Sequence, residues 1–188
     1  MQGDLVASGS TDESVQVWNM RQRQILWQFQ HQGDVNCVKL HENWLISCSE
    51  DNSTRIWDLE YGKQIHRLEQ SSPCNNFDIS PDESLIAVAT DYELVLLDFS
   101  KLTTIKKFKL RSSHMDVRFN QSGSRLIVGI DGGEVFKIDL VFDSENEEQY
   151  GLFGGSGGGF GGLGKEFEHF MNSSVLASDF RTFVRRKT

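Results

Sequence analysis

Residues 44–59, WLISCSEDNSTRIWDL, hold two short apolar runs, Trp44 to Ser49 and Thr54 to Leu59, on either side of the polar group Glu50, Asp51, Asn52 and Ser53. Runs of this length that alternate inward and outward residues are strands, and the polar group between them is a tight turn. The second run closes on Trp57 followed by Asp58. Strand, turn, strand and Trp-Asp form a unit, and the unit recurs along the chain.

Upstream, Leu5 to Trp18 reads LVASGSTDESVQVW, and setting Trp18 on Trp57 places Ser8 on Ser47 and Asp12 on Asp51 without a gap. Downstream, Ile86 to Asp98 (IAVATDYELVLLD) carries Asp91 in the turn position and Leu97 in place of the tryptophan. A last copy, Leu126 to Asp139 (LIVGIDGGEVFKID), has Gly132 in the turn position and closes on Ile138. The closing residues 18, 57, 97 and 138 are 39, 40 and 41 residues apart. A period near 40 with short strands describes a propeller blade, because one small sheet cannot bury both faces alone and must stack on its neighbours.

At these residues the chain resembles the WD40-repeat family of β-propellers, over residues 3–140 or about three quarters of its length. The resemblance implies an all-β fold, a partial propeller of four-stranded antiparallel blades. The second unit supplies the four residues of that family's buried hydrogen-bond network: His31, Ser47, Asp51 and Trp57. A histidine ahead of the first strand can bond both the turn carboxylate and a serine hydroxyl, and that hydroxyl can accept the indole N–H. The alternative for His31 is an ordinary exposed loop histidine, and three partners in register favour the network. Unit one has Ser8, Asp12 and Trp18 but no histidine upstream; unit three keeps only Asp91, and unit four only the neighbouring Asp131.

A chain of 188 residues with 38% hydrophobic and 24% charged residues has the makeup of one globular domain with a tail. The net charge of −8 opposes nonspecific attraction to nucleic acid or anionic membrane, so neither is an expected partner. Cys37, Cys48 and Cys74 show neither CxxC spacing nor paired histidines, which suggests no disulfide framework and no metal site. Residues 1–10 lack a basic, apolar signal segment and no run is long enough to insert in a membrane, so cytoplasm or nucleus is the expected compartment.

In chain order, residues 3–30 make a partial blade that lacks its innermost strand and ends on an outer strand, Gln24 to Phe29. Residues 31–69 make a complete blade with strands Val35 to Leu40, Trp44 to Ser49, Thr54 to Leu59 and Lys63 to Leu68. Residues 74–110 make another, with Asn76 to Ser80, Leu85 to Ala89, Leu94 to Phe99 and Thr103 to Leu110. Residues 114–140 make a second partial blade from Asp116 to Asn120, Leu126 to Ile130 and Glu134 to Leu140. The basic run IKKFKLR at 105–111 reads as an outermost strand whose lysines protect its open edge, in preference to a site for an anionic partner. Roughly three and a half blades are too few for a ring of about seven. The chain is therefore expected to be a piece of a longer propeller or to complete a ring with itself or another chain.

Beyond Asp143 the composition changes. Residues 141–164 are an acidic and Gly-rich linker, and residues 165–188 place Phe167, Phe170, Met171, Val175, Phe180, Phe183 and Val184 at helical spacings, a short amphipathic helical tail. Gly151 to Gly154 (GLFG) resembles the cohesive repeat of nucleoporins in a single copy. GFGGLGKE at 159–166 approaches a phosphate-binding loop, but Glu166 stands where a hydroxyl would ligate Mg²⁺. With no nucleophile, base and orienting group in sequence register, no enzyme and no cofactor are expected.

The family resemblance implies a protein-binding scaffold or adaptor acting through blade loops and the central channel. The second unit looks like those of F-box/WD40 ubiquitin-ligase substrate receptors, and Trp18 to Arg21 (WNMR) resembles the WDxR motif that docks some WD40 receptors on a cullin adaptor. The position before the turn Asp holds Thr11, Glu50, Thr90 and Asp131, with no arginine for a phosphopeptide; with Asn36 these are the candidate partner-binding residues.

Overall fold

The computed structural model describes residues 3–109, 115–131 and 135–140. Among them are fourteen strands and no helix, grouped into antiparallel sheets in chain order. The first sheet contains β1 (Leu5–Gly9), β2 (Ser14–Asn19) and β3 (Gln24–Gln30). The second contains β4 (Val35–His41), β5 (Trp44–Ser49), β6 (Ser53–Asp58) and β7 (Lys63–Glu69). The third contains β8 (Cys74–Ile79), β9 (Leu85–Thr90), β10 (Glu93–Asp98) and β11 (Thr103–Lys109). The fourth contains β12 (Asp116–Phe119), β13 (Arg125–Gly129) and β14 (Val135–Asp139). Among the described residues β1 therefore stands at an open inner edge and β14 at an open outer one. The tail expected to be helical, the Gly-rich linker, Leu110, Arg111, Gly132 and Glu134 lie outside the described residues.

The sheets stack through three apolar layers. Val15, Val17 and Phe29 of the first sheet meet Val35, Leu45 and Trp57 of the second. Ile46, Cys48 and Ile56 of the second meet Cys74, Phe77, Ile86, Val88, Val95 and Leu97 of the third. Leu85, Ala87, Ala89, Leu94, Leu96 and Phe108 of the third meet Val117, Leu126, Val128 and Ile138 of the fourth. Both complete sheets are covered on two sides, so β9 and β10 show no in-out alternation: every residue of either strand is buried. All four tryptophans, Trp18, Trp27, Trp44 and Trp57, belong to the first two sheets.

The repeat extends to an irregularity that spacing alone does not show. Where the third and outer strands of a sheet pair, the register slips at the closing residue: between Val17 and Trp18, between Ile56 and Trp57, and between Leu96 and Leu97. The extra residues are Leu26, Ile65 and Ile105, again about 40 apart. A bulge recurring at one position bends each outer strand in the same sense. Residues 105–109 of the lysine-rich run lie on β11, which among the described residues pairs only with β10.

Unit three departs from the ungapped alignment. Trp18 lies opposite Val6, Trp57 opposite Leu45 and Ile138 opposite Leu126, but Leu97 lies opposite Ile86, not Leu85. The turn between β9 and β10 is Asp91-Tyr92, one residue shorter than Glu50-Asp51-Asn52 between β5 and β6. In the longer turn Asn52 takes a left-handed conformation (φ 61°), as does its counterpart Glu13 (φ 69°), which is how a three-residue hairpin loop closes.

Candidate functional site

His31 sits in the link between β3 and β4, and its backbone N–H donates to the Glu13 carbonyl (2.9 Å), tying the first sheet to the second. Its ring is buried. Nδ1 lies 2.9 Å from Asp51 Oδ2 and Nε2 lies 2.8 Å from Ser47 Oγ, which accepts the Trp57 indole N–H at 2.8 Å. One neutral tautomer satisfies every atom: Trp57 donates to Ser47, Ser47 donates to Nε2, and Nδ1–H donates to the carboxylate. Burial holds the His31 pKa below 6.5, opposed by the Asp51 carboxylate, in keeping with that neutral form. Burial pushes Asp51 up, but bonds from Ser53, the Gln32 N–H and His31 outweigh it and bring Asp51 down to about 2.

Arg55, on β6, completes the corner. Its Nη2 donates to Asp51 (2.5 Å), Nη1 to the Gln30 carbonyl (3.0 Å) and Nε to Ser53 Oγ (3.0 Å), while its guanidinium lies 5.9 Å from the Trp57 ring centre. A strand arginine reads as solvent-facing in sequence, and the one signal for this role is its spacing of four from Asp51. Gly33 permits the approach of chain and turn: a Cβ there would stand 2.8 Å from the Asp51 backbone nitrogen. Phe29 stacks on Trp57 with ring centres 4.5 Å apart, so the network's apolar side is sealed by the first sheet.

The other units lock their corners differently. Asp12 caps its own turn by accepting the Ser14 N–H (2.9 Å), whereas Ser8 is exposed and Trp18 only half-buried; no hydrogen bond joins them among the described residues. Among the described residues no sheet covers them as the first sheet covers Ser47 and Trp57. Thr90, a candidate partner-binding residue by its position in the sequence, is fully buried and offers no partner surface. The shorter turn moves it to the place of Ser49 at the end of its strand. There its hydroxyl accepts the Glu93 N–H (2.9 Å), donates to the Glu93 carbonyl (3.0 Å) and meets the Ser72 hydroxyl (3.0 Å).

Strands β4, β8 and β12 lie side by side, as inner strands around a propeller axis do. Where they begin, an open groove of about 400 Å³ is lined by Asn36, Glu50, Asn75, Asn76, Met115 and Asp116. Asn36 and Asn75 occupy bulges in their strands, which turn extra polar side chains out of the ladder. Asn36 Nδ2 donates to the Cys74 carbonyl (3.0 Å), Asn75 Nδ2 to Asp91 (3.0 Å), and Asn76 Nδ2 to Asp116. The groove thus gathers Asn36 and Glu50 from the candidate residues; exposed Thr11 and Asp131 lie elsewhere. Two carboxylates among amides, beside one methionine, make a polar, acidic cleft. Among the described residues no group of three or more His, Cys, Asp or Glu is placed to hold a metal.

The profile of the family described as "Nucleolar protein 10-like, N-terminal domain", a β-propeller, matches residues 1–99, just over half of the 188-residue chain. The chain belongs to this family. The nucleolar protein 10-like stretch thus covers the first two sheets and the third through β10, including the whole His31 network. Wider WD40 kinship is seen in curated relatives. The chain is 27% identical to the rice small ribosomal subunit protein RACK1y over 69% of its own length and 42% of that protein. It is 31% identical to the fission yeast target of rapamycin complex subunit wat1 over 45% of its length and 28% of the relative's. With Arabidopsis THO complex subunit 3 it shares 27% identity over 64% of its length and 41% of the relative's. It spans less than half the length of each of these three relatives.

Proposed function

We propose that this chain is a non-catalytic WD40 interaction scaffold whose groove at the start of β4, β8 and β12 takes a basic segment of a partner protein. The observation that carries the reading is the convergence of Glu50 and Asp116 with Asn36, Asn75 and Asn76 in one open cleft. Carboxylates flanked by amide acceptors favour a lysine or arginine side chain, and the net charge of −8 favours the approach of a cationic partner. Three of the curated relatives are named as a ribosomal subunit protein, a target of rapamycin complex subunit and a THO complex subunit, which supports membership of a multi-component assembly. A nucleolar family name beside a ribosomal relative supports nucleus or cytoplasm as the compartment.

Fluorescence anisotropy with labelled basic and acidic peptides tests this. The basic peptide binds the wild type at low salt and loses at least about tenfold in affinity with Glu50→Lys or Asp116→Lys. Equal binding of both peptides, or indifference to both substitutions, refutes the reading.

A second reading is a part-propeller that completes its ring with another set of blades. The edge position of β1 favours it. Light scattering after size exclusion gives a dimer mass if the ring closes by self-association. A ubiquitin-ligase role rests on WNMR at 18–21, where Met20 and Arg21 are exposed at the end of β2, and predicts copurification of a cullin adaptor that Arg21→Ala abolishes.

A further inference from the structure

Three cysteines that are far apart in sequence come together behind the groove. In the register of β4 on β5, Cys37 lies directly opposite Cys48. Residues opposed across an antiparallel pair have Cα atoms about 4.5–5.5 Å apart, inside the range of about 4.4–6.8 Å that a disulfide spans. Cys48 is fully buried and also meets the thiol of Cys74, whose sulfur lies 3.3 Å from the Thr54 hydroxyl. Cys37 is half-buried, next to the bulge at Asn36, and is the least enclosed of the three cysteines.

We propose that Cys37 is an oxidation site for peroxide and that Cys48 resolves it, forming a cross-strand disulfide between β4 and β5. The Cys37 thiolate attacks one oxygen of hydrogen peroxide; the O–O bond breaks, hydroxide leaves and takes up a proton as water, and Cys37 becomes a sulfenic acid. Cys48 sulfur then attacks the Cys37 sulfur, the S–O bond breaks, and a second water departs with the Cys48 proton. Two thiols are oxidised by two electrons, and one peroxide is reduced to two waters.

The surroundings set this order. The bond from Cys48, the Phe77 N–H and the Arg118 guanidinium draw the Cys37 thiol down to about 7, against burial and the Asp116 carboxylate, so roughly half is thiolate at neutral pH. Burial pushes Cys48 well up, which makes it a poor first nucleophile; its place directly opposite Cys37 is what lets it resolve the sulfenic acid. Cys74 lies on β8 in the next sheet, outside the opposed pair. Oxidation that starts at Cys37 therefore meets Cys48 directly opposite, which favours 37–48 over 48–74.

Native protein of the full 188-residue chain is treated with an equimolar amount of hydrogen peroxide, alkylated and digested with trypsin without reduction. The three cysteines fall in separate tryptic peptides, 24–39, 40–55 and 68–101. The expected product joins 24–39 to 40–55, lowers the free thiols from three to one, and reverts with dithiothreitol. Cys37→Ser slows thiol loss by about tenfold or more, and Cys48→Ser leaves a dimedone adduct on Cys37. A link involving 68–101, no link at all, or unchanged oxidation of Cys48 in Cys37→Ser overturns the proposal. The wild-type peptide map decides the matter even if Cys48→Ser does not fold.

Discussion

Ser47 is the one hydroxyl that both accepts from Trp57 and donates to His31, so its loss leaves two buried polar atoms unpaired. Ser47→Ala is expected to cost about 2–4 kcal/mol, read as a lower urea midpoint with unchanged slope. His31 sets the acid side of the stability curve. Its folded pKa lies below 6.5, so the unfolded chain takes up the proton first; stability is complete above pH 6.5 and declines as pH falls through the folded value. Urea midpoints should therefore drop between pH 7 and pH 5.5, and His31→Asn, although weaker throughout, should flatten that drop. Asp51, held at about 2 against 3.8, adds a second decline as pH falls from 3.8 towards 2. The four network residues were legible because their types and spacing match a repeat. Arg55 was not, since nothing in a strand's alternation distinguishes a buried, paired arginine from an exposed one.

At the scale of the element, the turn between β9 and β10 shows what periodicity hides. The spacing from Trp57 to Leu97 is an unremarkable 40 residues, yet the turn is one residue shorter and β9 is shifted by one against the second sheet. A residue moved between turn and strand leaves the period unchanged, so only pairing reveals it. Thr90→Val should then behave as a core lesion: about 1–2 kcal/mol lost with the Glu93 and Ser72 bonds, and no change in peptide affinity at the groove. Gly33→Ala should also weaken the second sheet, by driving a methyl into the Asp51 backbone; its effect should be smaller in a Ser47→Ala background, where the corner is already loosened, and a double-mutant cycle on urea midpoints reads the difference. Strand positions were otherwise legible to within a residue or two, because each sheet face pairs with a known apolar layer.

Across the whole molecule, stability passes from sheet to sheet through three apolar layers and a few polar clamps. Asp78 is one clamp: it accepts from Lys39 on β4 (2.9 Å) and from the Phe119 N–H on β12 (2.9 Å), joining three sheets. A third of the groove was legible, through Asn36 and Glu50; Asn75, Asn76, Met115 and Asp116 converge on it only when successive inner strands are laid side by side. The thiol group was invisible for the same reason, since Cys37 and Cys48 meet by register and Cys74 by stacking. The placement of all four tryptophans in the first two sheets has a spectroscopic consequence. Indole emission watches only the half of the fold that carries the His31 network, while far-ultraviolet dichroism weighs all fourteen strands. A denaturation in which the two signals coincide means that the stacked layers transmit unfolding along the whole array. One in which ellipticity is lost first means that the third and fourth sheets melt as a separate unit, dark to fluorescence.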